Sequence, residues 1–194
     1  MHGGDDVRPG DPGVKLTYDD FLLFPDDGMR HELIDGEHYV TPSPNIKHQR
    51  VLGNLYWLIR RHLETHPIGE AFLSPFDVVF TRFDVVEPDL LYVSRERGAQ
   101  VLTPKNVQGA PELVVEIASP ATRKRDETIK RRLYERMGVS EYWVVDPDVD
   151  TIRIYRLVGD AYKRPVELSL EASDVLRTSL LPDLDLTLVD IFKP

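Results

Sequence analysis

Residues 111–147 read PELVVEIASPATRKRDETIKRRLYERMGVSEYWVVDP, and the order of patterns in this stretch decides the fold class. Glu112 to Ala118 is almost continuously apolar, as expected of a central strand with both faces covered. Lys124 to Met137 predicts a helix, and Gly138 follows where a left-handed residue ends helices. Glu141 to Val145 predicts the next strand, which Asp146–Pro147–Asp148 turns.

Working outward, Asp19 to Phe24 predicts a short helical turn with Thr17 as N-cap. Arg30 to Val40 (RHELIDGEHYV) places Asp35–Gly36 between two extended runs, a hairpin signal because tight turns need positive φ. Thr41 to Pro44 breaks the chain. Asn45 caps a predicted helix to Glu64, with Leu52, Leu55, Ile59 and Leu63 at helical spacing and Pro67 and Gly69 as a stop. Ala71 to Phe80 and Pro88 to Val93 read as strands, and Pro104 to Ala110 as a loop. Thr151 to Leu157 and Tyr162 to Leu168 predict a hairpin about Gly159–Asp160. The Leu-rich remainder reads as a short helix and a docking tail. The order predicts an α/β domain: a mixed central β-sheet flanked by helices, with hairpins added at both ends.

The chain has 194 residues, enough for one domain over 15–194, with 1–14 (MHGGDDVRPGDPGV) expected as a disordered arm. Hydrophobic residues make up 41% and charged residues 29%, a composition that supports a core and excludes wholesale disorder. The net charge of −9 argues against a surface that binds polyanions everywhere and leaves room for a local basic patch. There is no cysteine, which excludes disulfide scaffolds, thiolate metal sites and cysteine nucleophiles. No signal-like core or membrane-length apolar run is present, so a cytoplasmic setting without membrane contact is expected.

Glu116 stands out, a carboxylate among Leu113, Val114, Val115, Ile117 and Ala118. Burying it is costly unless it is paired or bound to metal. It either pairs with an arginine or reaches strand-end water, or it is functional. Asp89 follows Pro88 at a predicted strand start and reads equally as a turn aspartate. Asp77 reads as an edge-strand charge, and Glu32 as a solvated hairpin acid. On the 124–137 helix, a buried stripe centred on Leu133 takes in Ile129 and Met137, and also Asp126 and Lys130. These two charges either pair with each other or point at Glu116 and Asp89. His48 shares a face with Leu52, Leu55 and Ile59 and reads first as a packing histidine.

Residues 121–136 hold seven of the 24 Lys and Arg residues. Arg123, Lys124, Arg125 and Arg131 are the candidate nucleic-acid contacts among them. A basic patch beside acids suits a phosphate ester, with Mg²⁺ or Mn²⁺ on the carboxylates and a lysine stabilising the transition state.

HELIDGEHYV, SPNIKHQRV, VVEPDLLYVS, residues 110–147 and IRIYRL together resemble the Uma-two family of the PD-(D/E)xK nuclease superfamily. The resemblance implies a restriction-endonuclease-like core, a divalent metal on Asp89 and Glu116, and DNA as substrate. The residue two after Glu116 is Ala118 rather than Lys, and Lys130 on the following helix matches the position that replaces it. Glu32 matches a further acidic position, making Asp89, Glu116, Lys130 and Glu32 the catalytic candidates. Asp77, His48 and Asp126 are supporting candidates. The expected function is a Mg²⁺- or Mn²⁺-dependent DNA endonuclease acting as a homodimer. The alternatives are a catalytically degenerate fold that binds nucleic acid or protein, and a hydrolase of small phosphate esters.

Overall fold

A computed structural model describes residues 14–194. The 1–14 arm lies outside the described residues except for Val14, which is exposed. The elements run α1 (Tyr18–Phe21), β1 (Arg30–Ile34), β2 (Glu37–Thr41), α2 (Ile46–Thr65), β3 (Gly69–Leu73), β4 (Val78–Thr81), β5 (Asp84–Val86) and β6 (Leu90–Ser94). They continue with α3 (Arg95–Val101), β7 (Val107–Gln108), β8 (Leu113–Ile117), α4 (Arg123–Arg125), a π-helical turn (Asp126–Lys130), α5 (Arg131–Met137) and β9 (Glu141–Asp146). The chain ends through β10 (Thr151–Val158), β11 (Ala161–Tyr162), β12 (Val166–Ser169), β13 (Val175–Leu176), β14 (Leu186–Thr187) and α6 (Leu188–Phe192).

The expected mixed sheet with helices and hairpins is present. The larger sheet runs β11-β10-β9-β8-β6-β3, with β12 on β10. Its centre, β8, pairs antiparallel with β6 and parallel with β9, and all five of its residues are buried. A second sheet, β2-β1-β5-β4-β7, is built on the first hairpin. Asp35 and Gly36 both adopt positive φ there (53° and 76°), as the tight turn requires. Gly138 closes the 123–137 helix with φ 81°. The side chains of Thr17 and Asn45 cap α1 and α2.

Alternation along β8 sorts its side chains onto two faces. Leu113, Val115 and Ile117 pack with Leu55 and Ile59 of α2. Val114 and Ala118 join Leu133 and Tyr134, together with Ile34, Val78 and Val86 of the second sheet. Each fully buried aliphatic contributes about 1.5–3 kcal/mol, so both layers are held strongly against β8. Glu116 faces the second layer, between Val114 and Ala118. Of the two tryptophans, Trp143 on β9 is fully buried, whereas Trp57 lies half exposed on α2 with the Arg61 guanidinium over its ring.

The expected strand from Ala71 to Phe80 is two strands in two sheets. Its apolar run resumes after the Ser74–Pro75 break, and Pro75 has no N–H for a ladder. The expected loop over 104–110 contains β7, and β5 and α3 were not anticipated. The helix from 123 is interrupted by the π turn, so the stripe drawn at a uniform 3.6 residues per turn is wrong in detail. Ile129 is exposed, and Tyr134 is fully buried in its stead. Among the described residues no helix is long and apolar enough to cross a membrane.

Candidate active site

The site forms where the ladder between β6 and β8 runs out. The last pairs join Leu90 to Val115, so the next β8 donor, the Ile117 N–H, lacks a strand partner. The Asp89 side chain takes it, with Oδ2 accepting at 2.8 Å. His48 Nε2, from the first turn of α2, lies 3.1 Å from the same oxygen. Arg30 Nη1, from β1, donates to Oδ1 at 2.7 Å. Burial pushes the Asp89 carboxyl up, but the His48 hydrogen bond and the Arg30 charge outweigh it and hold it down at about 2.

Glu116 is buried on β8. Lys130 Nζ donates to its Oε1 at 2.9 Å and the Tyr134 hydroxyl to the same oxygen at 2.7 Å. Lys130 Nζ also lies 2.7 Å from Glu32 Oε1, so one ammonium joins the two sheets. Glu32 Oε1 further accepts the Glu87 N–H, while its Oε2 is buried with no hydrogen-bond partner. Burial pushes Glu116 up to about 8, and Lys130 works against that shift. The Lys130 ammonium on Oε1 favours the anionic carboxylate, against the burial that favours the neutral acid. For Lys130, burial works against the ammonium, but Glu116 and Glu32 prevail and raise its pKa.

The helix reaches the site by departing from α geometry. The Arg131 N–H donates to Asp126 O, a bond spanning five residues, and the Tyr142 hydroxyl donates to that carbonyl at 3.1 Å. The Thr128 hydroxyl donates to Lys124 O, one turn back along the helix. Asp126 and Lys130 thereby both face the site while Thr128 and Ile129 remain outside. Asp126 is 2% exposed, and its Oδ1 has no hydrogen-bond partner. Burial raises its carboxyl despite the opposing Lys130 charge.

Asp89, Glu116, Asp126, Lys130, Arg30 and His48 line one cleft of about 220 Å³, and Glu32 lies beneath through Lys130. The catalytic candidates and two of the three supporting ones therefore converge. Asp77 does not join them. It lies apart with Glu87, where burial raises both carboxyls, that of Glu87 to about 7. Of the basic candidates, only Arg125 enters the site, with Nη2 3.6 Å from Glu32 Oε2 and its guanidinium over Tyr39. Arg123 is held by Asp146 and Asp148, and Arg131 lies over the Tyr155 ring. Lys124 is exposed.

Sequence reading missed two participants. Arg30 is two residues before Glu32, and alternation puts both on one strand face. Tyr134 is four residues after Lys130, the spacing of helix-surface neighbours. Among the described residues, no three His, Asp or Glu side chains stand in ligating geometry for a metal. The donors nevertheless fit a hard divalent cation in kind. Asp89 and Glu116 bring oxygens to the cleft, and Asp126 adds a buried oxygen without a partner.

One solved structure, described as "a putative nuclease belonging to DUF820" from Anabaena variabilis, matches with a TM-score of 0.77 at 23% identity. The match covers 91% of this chain and 97% of that one, and it shows a shared fold. No curated protein matches the chain. Residues 18–189 match the Uma2 family, described as "Putative restriction endonuclease", and the chain belongs to that family.

Proposed function

We propose that the protein is a divalent-metal-dependent DNA endonuclease whose active site is the cleft between β6, β8 and the π turn. The contact of Lys130 with Glu116 carries this reading. It supplies from a helix the ammonium that Ala118 cannot, and Asp89 lines the same cleft. The family and the Anabaena neighbour support a nuclease-type function.

Asp89 and Glu116 are the residues that would hold Mg²⁺ or Mn²⁺, with Asp126 in reach of the same cleft. Such an ion supplies an activated water and neutralises phosphate charge. Hydrolysis adds water to phosphorus and breaks one P–O ester bond. Lys130 Nζ is a fixed donor for the negative charge that grows on the phosphoryl oxygens. Glu32 holds that ammonium in place from behind, and Tyr134 fixes the Glu116 carboxylate. Lys124 and Arg125 are the cations we assign to the flanking DNA backbone. Arg123 and Arg131 serve there only by sharing charge with their present partners.

A second reading, a degenerate nuclease fold that binds nucleic acid or protein, draws on one observation. Asp89 and Glu116 are already engaged by Arg30 and Lys130. Titrating Mn²⁺ and Mg²⁺ into the wild type and Glu116→Gln, followed by plasmid nicking, separates the two. Metal binding and nicking that both fall sharply in the variant support the endonuclease. Wild type that binds no metal even with DNA present points to the binding module. We also propose a homodimer, which sedimentation at high concentration tests.

A further inference from the structure

We infer that Arg30 is a two-position phosphate arm, parked on Asp89 in the free protein and released to the substrate phosphate when a divalent cation engages Asp89. The inference rests on the endonuclease reading above. Asp89 Oδ2 already accepts from the Ile117 N–H and faces His48 Nε2, which fills its acceptor capacity. Oδ1 is the oxygen left for a cation, and Arg30 Nη1 stands on it at 2.7 Å. A guanidinium and a divalent ion on one oxygen repel each other across a short distance in a half-dry cleft. Arg30 has somewhere to go. Its side chain is one-fifth exposed and lines the cleft. Both of its hydrogen bonds among the described residues, to Asp89 and to Glu87 O, leave from Nη1. The rest of the planar fork is available for two oxygens of one phosphate.

Charge balance points the same way. The acids lining the cleft are Asp89, Glu116 and Asp126, and the permanent cations are Arg30, Arg125 and Lys130. With Glu32 beneath Lys130 and beside Arg125 these are four acids against three permanent cations, in a protein of net charge −9, so the free cleft offers a polyanion little. A divalent ion tips the balance by two charges and frees a guanidinium at the same moment. Metal and DNA then strengthen each other's binding, and by linkage the coupling is reciprocal.

The test is calorimetry of Mn²⁺ binding to wild type, Arg30→Gln and Arg30→Lys, each alone and with a phosphorothioate duplex that resists cleavage. Without DNA, Arg30→Gln should bind Mn²⁺ roughly tenfold more tightly than wild type, within the usual range of coupling between sites. The duplex should strengthen Mn²⁺ binding to wild type and add much less in Arg30→Gln. Manganese should also raise the melting temperature of Arg30→Gln more than that of wild type. Arg30→Lys keeps a positive charge beside Asp89 but loses the fork. Its DNA-free affinity should stay near wild type while its DNA-linked gain falls. Should Arg30→Gln fail to fold, the lysine variant decides, and an undiminished DNA-linked gain in it overturns the arm. Equal Mn²⁺ affinities in wild type and Arg30→Gln overturn the arm and leave the metal site standing. No Mn²⁺ binding by either, with or without duplex, overturns both the arm and the endonuclease reading.

Discussion

Two glutamates are buried on neighbouring strands of the larger sheet, Glu116 on β8 and Glu141 on β9, and they are buried differently. Glu141 uses both oxygens. Oε1 accepts from Arg156 Nε at 3.0 Å and the Thr178 hydroxyl at 2.9 Å, and Oε2 from Trp143 Nε1 at 2.9 Å. Glu116 gathers its donors, Lys130 and Tyr134, on Oε1 alone and lines a cleft. Burial alone therefore does not tell a carboxylate fully engaged by the fold from one that keeps an oxygen toward a cleft. The better sign is how completely its acceptor capacity is spent inside the protein, because a reacting group must keep some for its substrate.

The largest contrast should appear in activity. Glu116→Gln should lower the rate of plasmid nicking by roughly 10²–10³-fold, the usual scale for removing one electrostatic stabiliser. Glu141→Gln should leave the rate of the folded protein within a few-fold. Equal losses in the two would break the contrast. Next comes Lys130→Met, which strips the shared cation from Glu32 and Glu116. It should cost about 3–5 kcal/mol in urea unfolding, as breaking a buried ion pair does. Glu141→Ala leaves the Trp143 N–H and the Thr178 hydroxyl without their partner and should cost about 1–3 kcal/mol, with Mn²⁺ affinity unchanged. The smallest effect belongs to Arg156→Ala. The Arg156 side chain is 39% exposed, so its loss should cost about 0–1 kcal/mol although it touches a buried acid. A larger loss there would mean that Glu141 depends on charge rather than on its neutral donors.

Much of the frame was legible because local chemistry dictated it. Asp35–Gly36, the Asn45 cap, the apolar run through β8 and the Gly138 stop each force one conformation. The misses have physical causes. RERGAQV, which forms α3, has Gly98 at its middle and few apolar residues, so its periodicity is weak. Ala71 to Phe80 is apolar on both sides of Pro75, which concealed a change of sheet. At the site, the expected group of Asp89, Glu116, Lys130 and Glu32 came together. Arg30 escaped notice because its contact with Asp89 needs β1 to lie against the start of β6, a long-range arrangement that no local pattern encodes. Glu141 escaped because its partners, Arg156 and Thr178, lie beyond the strand that carries it. The π turn escaped because wheel reasoning assumes one pitch throughout a helix.

The placement of Trp143 gives the protein a built-in optical probe. Its indole is fully buried and hydrogen-bonded beside the strand that carries Glu116, while Trp57 is in contact with solvent. Emission from this chain should therefore separate into a blue component that acrylamide reaches only after unfolding and a red one quenched from the start. Opening of the sheet around the cleft can be followed in the first component without attaching a dye.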